Sequence, residues 1–373
     1  MSSILEGSRV NWRTRTAVVV TTAALIGMPA VSVLAQDATP VADHRDVEIA
    51  YVLHGFTTFT EEMVAGAEDA ARDYGVTLEV YGDAAFDVSA EQDFFATALQ
   101  SGVDGIAVAP LEGERWIEPI QQAIDQGVPV VGFNVTALDS ALTTWVGQDD
   151  YDSGLVLGGE LLQQLDEAGV TAGPIAVGSC NPDENVLQDR DAGLRNAFAW
   201  SAFEVLPSQD VHLAIPENLS AWEAIVDANP DLVAAVGLCY LDVPNLAQLK
   251  ESAGASWLIG GYNLDGPTLD VIASGEAQVV VGQQEYLQGY LPVAVLAEHL
   301  INGTPLVMGW LEAPAEVVTG ENVSQYAARE TDDQVQYDDY RTYIAEHFAD
   351  LQAAARPYDD LRTLGVPEAT AAP

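Results

Sequence analysis

Apolar and polar positions follow two alternating patterns along this chain. Short, nearly unbroken apolar runs bounded by glycine or polar residues predict buried strands, at Val47–Gly55, Val76–Tyr81, Gly105–Ala109 and Val128–Phe133. Between them, apolar residues recur every three or four positions, which predicts helices. The first helix opens on a Thr58-x-x-Glu61 capping box, keeps Met63, Ala67, Ala71 and Tyr74 on one face, and stops at Gly75. The second opens on Ser89-x-x-Gln92, turns Phe95, Ala98 and Leu99 inward, and stops at Gly102. A third runs near Trp116–Gln126. Repeated strand–helix units demand a parallel sheet with helices on both faces.

The alternation breaks once. The strand Val128–Phe133 ends on Asn134, and a second strand, Thr144–Gly147, follows with no helix between them. It ends on Gln148, Asp149 and Asp150, and a helix begins at about Tyr151. This break reads as the crossover between two lobes, with Asn134, Gln148 and Asp149 at the mouth of the cleft, because ligands sit outside the carboxyl ends of parallel strands. The pattern then restarts with strands at Pro174–Gly178, Phe203–Leu206, Ala234–Leu238, Trp257–Tyr262 and Gln278–Gly282. One intervening helix is expected to be capped at Ser220-x-x-Glu223. A helix over Tyr286–Asn302 and an extended segment over Leu306–Leu311 follow. Beyond Pro314 the chain turns acidic and less regular. Asp339–Ala355 can form an amphipathic helix with Tyr340, Tyr343, Ile344 and Phe348 on its apolar side, and Gly365–Pro373 reads as disordered. The fold class is therefore α/β, with two doubly wound parallel-sheet lobes.

Charge removes whole classes of partner. The 373 residues carry 13 Lys and Arg against 57 Asp and Glu, a formal −44, and Lys250 is the only lysine. Such a surface repels nucleic acid and anionic lipid. The few cations cluster informatively at the start, where Arg9, Arg13 and Arg15 precede the largely apolar Ala17–Leu34. Val33-Leu34-Ala35 then resembles a small-residue cleavage site. Residues 1–35 are expected to be a signal peptide cleaved near Ala35, 36–46 a linker, and the mature protein to work in the periplasm or at the extracellular face. Two cysteines in an exported chain suggest a disulfide. Cys180 and Cys239 end the first and third strands of the second lobe. In a sheet of order 2-1-3-4-5 those strands are neighbours about 4.8 Å apart, within the ~7 Å reach of a bridge.

Enzyme and nucleotide motifs are absent from the sequence: no G-x-G-x-x-G, no phosphate-binding G-x-x-x-x-G-K-[ST], no G-x-S-x-G and no H-E-x-x-H. Asp149, Asp150 and Asp152 fit a helix N-terminus better than a metal site. No catalytic residues, metal or cofactor are expected. What remains is a set of side chains at strand carboxyl ends: His54, Phe56 and Phe59, then Asn134, Gln148 and Asp149, then Tyr240, Asn263 and Gln283, with Arg190 on the helix after Cys180. Amides, one arginine and aromatic faces suit a neutral, polyhydroxylated ligand.

The segments GAEDAARDYGV (66–76), SGVDGIAVAP (101–110), AIDQGVPVVGFN (123–134), VGQDDYDSG (146–154), VGQQEYLQGYLPV (281–293) and ENV (321–323) carry a resemblance. Over about Val47–Val323 the chain resembles a periplasmic sugar-binding protein of the ribose-binding (type I) family, the substrate-binding component of an ABC importer. The resemblance implies the type I periplasmic binding protein fold with three hinge crossings, near Gly147, Gln284 and Trp310. The lobes would be 47–147 plus 285–310 and 148–284 plus 311–324, leaving 325–373 as an acidic C-terminal extension. It implies a monomer that passes a small neutral sugar or polyol to a membrane permease, with ligand contacts at Phe59, Asn134, Arg190, Tyr240, Asn263 and Gln283 and with Gln148 beside the hinge. The family usually carries Asp where this chain has Asn134 and Asn263, and Asn donates as well as accepts. Alternatives are a ligand-sensing input to a membrane receptor, or a non-sugar, cationic solute with Asp149 as counter-ion.

Overall fold

The computed structural model describes residues 44–83 and 86–361. The segments read as signal peptide, most of the linker, and the terminal Gly365–Pro373 lie outside the described residues.

The apolar runs form strands buried on both faces, as parallel sheets require. The first sheet holds β1 (Glu48–Val52), β2 (Thr77–Tyr81), β3 (Gly105–Val108), β4 (Val130–Phe133) and β5 (Thr144–Gly147). The second holds β6 (Gly173–Ser179), β7 (Phe203–Val205), β8 (Gln209–Asp210), β9 (Ala234–Gly237), β10 (Leu258–Tyr262) and β11 (Val279–Gly282). Two late strands join them: β12 (Gly309–Glu312) lies parallel to β5, and β13 (Glu316–Thr319) lies antiparallel to β11. The sheet orders are β12-β5-β4-β3-β1-β2 and β13-β11-β10-β9-β6-β7, with β8 also on β6. Each sheet thus runs 2-1-3-4-5 with one late strand added at its edge. The antiparallel β13 was not foreseen from the sequence.

In each lobe two helices cross at facing glycines. Helix Thr58–Tyr74 meets helix Glu285–Asn302, where a Cβ on Gly66 would lie 2.1 Å from the Tyr286 carbonyl oxygen and one on Gly289 1.8 Å from that of Met63. Helix Asp150–Glu167 meets helix Asn185–Phe198, where a Cβ on Gly193 would lie 1.9 Å from the Tyr151 oxygen. Only glycine lets backbones approach this closely.

The expected capping residues need correction at three helices. The first is capped by Thr57 with Thr60, not by Thr58 with Glu61. The second is capped by Asp87, whose carboxylate accepts from the amides of Ser89 and Ala90. Ser220 lies inside helix Ile215–Ala228 and donates to the Pro216 carbonyl. In each case the helix begins one or more residues before the sequence motif places it.

The chain passes between the lobes after β5, after β11 and between β12 and β13, then once more. Helix Val323–Arg329 packs on the second lobe beside β13, and helix Asp333–His347 returns to the first. There Tyr340 stacks on Tyr286 with ring centroids 4.3 Å apart, and the Tyr337 hydroxyl donates to Asp73 at 2.8 Å. The helix expected over Asp339–Ala355 is thus two, Asp333–His347 and Leu351–Ala354. Tyr340, Tyr343, Ile344 and Phe348 do face the first lobe's core.

Candidate functional site

The carboxyl ends of both sheets face a cavity of about 80 Å³. His54, Phe59, Phe86, Leu111 and Asn134 line it from the first lobe; Glu184, Leu187, Arg190, Tyr240 and Gln283 line it from the second. The Phe59 and Tyr240 rings face each other across the lobes, with centroids 6.2 Å apart and planes 21° from parallel. A sugar ring between two such faces needs about 7–8 Å, from two contacts of about 3.5–4 Å. Ligand entry therefore requires the lobes to part or Tyr240 to swing.

Arg190 organises the second lobe's side. Its Nε donates to Asp150 Oδ1 at 2.7 Å, its Nη1 to the Leu238 carbonyl at 3.0 Å, and its Nη2 to Gln283 Oε1. The guanidinium stands 4.2 Å over the Tyr262 ring, whose hydroxyl is 3.0 Å from Ser153 Oγ. Burial pushes the Asp150 carboxyl up to about 6, against the opposing pull of the Arg190 charge. The pair is buried, with side chains 6% and 7% exposed, so the site's strongest positive charge is matched within the protein.

The disulfide Cys180–Cys239 forms part of the cavity wall, joining the ends of β6 and β9. It ties down the turn that carries Leu238 and Tyr240. Below that turn, buried Asp242 accepts from Trp222 Nε1 and Asn218 Nδ2, each at 2.8 Å, and from the Cys239 amide at 2.9 Å.

On the first lobe's side, His54 Nε2 lies 3.0 Å from Asn134 Oδ1, Asn134 Nδ2 donates to Gln288 Oε1 at 3.0 Å, and Gln288 Nε2 donates to the Gln283 carbonyl at 2.7 Å. Asn134 has φ 58°, a left-handed conformation that Asn tolerates better than most residues.

Of the residues singled out in the sequence, His54, Phe59, Asn134, Arg190, Tyr240 and Gln283 line the cavity. Four stand elsewhere. Phe56 points away and is 42% exposed. Gln148 donates to the Gly282 carbonyl at 3.1 Å and pins two hinge strands together. Asp149 caps helix Asp150–Glu167 by accepting from the Asp152 amide. Asn263 is buried at φ 89° after β10, outside the cavity lining, and its Nδ2 has no partner among the described residues. The sequence reading missed Phe86, Leu111 and Glu184, which lie in loops or at a helix cap without periodic pattern, and Asp150, whose partner Arg190 is distant in sequence.

The lobes touch at the cleft's rim. Glu184 accepts from the Glu112 amide at 3.3 Å, and Asn185 Nδ2 donates to Thr136 Oγ1 at 2.9 Å. Outside this seam lies an acidic vestibule of about 640 Å³ bordered by Glu112, Glu114, Asp139, Asp183 and Glu184.

Because helix Asn185–Phe198 carries Arg190 and is seated by Gly193, Gly193→Ala is expected to displace it. Overpacking of this kind costs about 1–3 kcal/mol. Thermal unfolding and ligand titration of Gly193→Ala should show both a lower midpoint and weaker binding, whereas exposed Gly159→Ala, mid-helix and meeting nothing within 4 Å, should leave binding unchanged and raise the midpoint slightly, since alanine is the better helix former by about 1 kcal/mol.

Comparison with known proteins agrees with this architecture. The family model of the periplasmic binding protein domain matches residues 49–304. The xylose/arabinose-binding protein XylF of Sulfolobus acidocaldarius is 22% identical over 305 residues, spanning 77% of this chain and 74% of its own. The ribose import binding protein RbsB of Bacillus subtilis is 23% identical over 263 residues, 70% of this chain and 83% of its own. Among solved structures, an ABC transporter solute-binding protein from Burkholderia graminis in complex with D-arabinose superposes with a TM-score of 0.72 at 19% identity, covering 77% of this chain and 99% of that one. With its two doubly wound lobes and inter-lobe cavity, the chain belongs to the periplasmic binding protein domain family and is a binding protein rather than an enzyme.

Proposed function

We propose that the chain captures a neutral sugar or polyol between its lobes and delivers it to the permease of an ABC importer. The observation that carries this reading is the Arg190–Asp150 pair, which leaves the cavity without an unmatched cation at its centre. Around it stand aromatic faces and groups able to exchange hydrogen bonds with hydroxyls, at His54, Asn181, Tyr240 and Gln283. The names of the relatives, which include binding proteins for xylose, arabinose, ribose and allose, support the same ligand class. The apolar, arginine-led N-terminus supports export and cleavage near Ala35, and so action in the periplasm or at the outer face.

A cationic solute is the second reading, favoured by the carboxylate of Glu184 in the cavity wall. A thermal-shift panel of D-xylose, D-arabinose, D-ribose, D-allose, D-galactose, myo-inositol and an amino-sugar separates the two. A ligand at 100 times its Kd adds about 2.7 kcal/mol of stability. A neutral sugar is expected to raise the midpoint by several degrees, with a Kd that titration at low and high salt leaves unchanged, since it carries no charge to screen. Stabilisation by the amino-sugar alone, weakening steeply with salt, would transfer the assignment to a cation.

A further inference from the structure

We infer that His54 presents its Nδ1 as a hydrogen-bond acceptor to a hydroxyl of the bound sugar, in a tautomer dictated by a relay of amides that ends on a backbone carbonyl. The inference rests on the sugar reading and adds to it the residue that selects a donor on the ligand.

The direction of each bond in the relay follows from its end. A backbone carbonyl only accepts, so the group 2.7 Å from the Gln283 oxygen must be the Gln288 amide nitrogen. That orientation leaves Gln288 Oε1 facing Asn134, which must offer Nδ2, at 3.0 Å. Asn134 then turns Oδ1 towards the imidazole, and an amide oxygen only accepts. The nitrogen 3.0 Å away, His54 Nε2, therefore carries the proton. In a neutral imidazole the other nitrogen keeps its lone pair.

That other nitrogen, Nδ1, is buried and has no partner among the described residues. The residue lines the cavity, with its ring 4.8 Å from that of Phe86 and 6.4 Å from that of Phe59. Burial pulls the imidazole down to about 4, with the Asn134 bond opposing, so the ring is neutral at any ordinary working pH. A buried acceptor without a partner is costly, and a ligand hydroxyl would relieve that cost. Asn134 commits one lone pair and one N–H to the relay, which makes it the residue that positions His54.

The test pairs a protein deletion with a ligand deletion. The sugar binding tightest in the panel above, and its monodeoxy analogues, are titrated into the wild type and into His54→Phe, which keeps a ring but offers no acceptor. His54→Phe should bind the parent sugar about tenfold or more weaker. One monodeoxy analogue should lose as much against the wild type but almost nothing further against His54→Phe, the pattern of two groups that contact each other. Nitrogen NMR of the wild type gives a readout independent of the variant's folding. The His54 resonances should show a proton on Nε2 and a bare Nδ1, and sugar should shift Nδ1 alone. A proton on Nδ1, an Nδ1 resonance indifferent to sugar, or strictly additive losses for every analogue would overturn the assignment while leaving the sugar reading intact. If the wild type binds no sugar in the panel, the sugar reading falls, and this assignment with it.

Discussion

Arg190→Ala is expected to weaken sugar binding by roughly ten- to a hundredfold and to destabilise the empty protein as well. Three of its nitrogens are committed, to Asp150, the Leu238 carbonyl and Gln283, and its plane covers Tyr262. Charge-assisted bonds of this kind are each worth about 1.5–3 kcal/mol. Without the guanidinium, Asp150 is a buried carboxylate with no counter-ion, a change that costs about 3–5 kcal/mol. Part of that cost can be avoided by taking up a proton. The Asp150 carboxyl already sits at about 6 through burial, and losing the arginine removes the charge that holds it down. The penalty should therefore be larger at pH 8 than at pH 5.5. Arg190→Lys should rescue little, since one ammonium cannot span the fork and lie over the ring. Asp150→Asn combined with Arg190→Ala should be more stable at pH 8 than Arg190→Ala alone. Denaturant unfolding of the three variants at both pH values checks this. A single variant as stable as the wild type at pH 8 would mean that the pair is an ornament of the fold.

Much of this site could be read from the sequence because parallel sheets are written in it plainly. A strand buried on both faces must be apolar throughout, so β1, β3, β4, β9 and β11 announce themselves, and the residues after them fall at the cleft. The missing helix between β4 and β5 marked the crossover for the same reason. What stayed hidden depends on contacts rather than on pattern. Asp150 looked like one more acid at a helix N-terminus, because nothing local points it at Arg190 forty residues away. Asn263 looked equivalent to Asn134 and shares its left-handed backbone, yet it stands outside the cavity lining. Capping boxes were misplaced because Thr57, Thr58 and Thr60 all offer hydroxyls, and packing decides where the helix begins. The return of the C-terminal segment to the first lobe was obscured by its acidic surface, although its aromatic spacing was visible.

That returning segment sets up the second large effect. Acidification from pH 8 to about 5 is expected to stabilise the protein, and Arg329→Met to steepen the dependence. Arg329 donates from Nη1 and Nη2 to the two Glu316 oxygens, each at 2.8 Å, and from Nε to Glu330 at 3.1 Å. Its guanidinium lies 4.8 Å over the Tyr340 ring, and the Tyr340 hydroxyl donates to Glu62 at 3.2 Å. Burial first, and then the charges of Glu330 and Glu316, hold the Glu285 carboxyl up at about 8. Burial and the charges of Glu330 and Glu285 raise Glu62 in the same way. Elsewhere burial lifts Asp150 and Asp242 to about 6. Each of these groups binds its proton more tightly folded than unfolded. Their contribution is therefore fully present below the unfolded values of about 4 and is lost as pH rises through about 6 to 8. His54 opposes them, because its depressed value costs stability as pH falls from about 6.5 towards 4. It is one group against several carboxyls and a formal charge of −44, whose self-repulsion acid also relieves. The net gain should be on the order of a few kcal/mol, or roughly 10 °C in the midpoint. With Arg329→Met, Glu62, Glu285, Glu316 and Glu330 face one another without that cation. The loss should reach about 3–5 kcal/mol at pH 8 and shrink towards pH 5, where protons replace the arginine. Scanning calorimetry of both proteins from pH 5 to pH 8 measures the two slopes. Parallel curves would show that the acids around Arg329 do not titrate together, and a wild-type midpoint that falls on acidification would show that the depressed histidine outweighs the raised carboxyls.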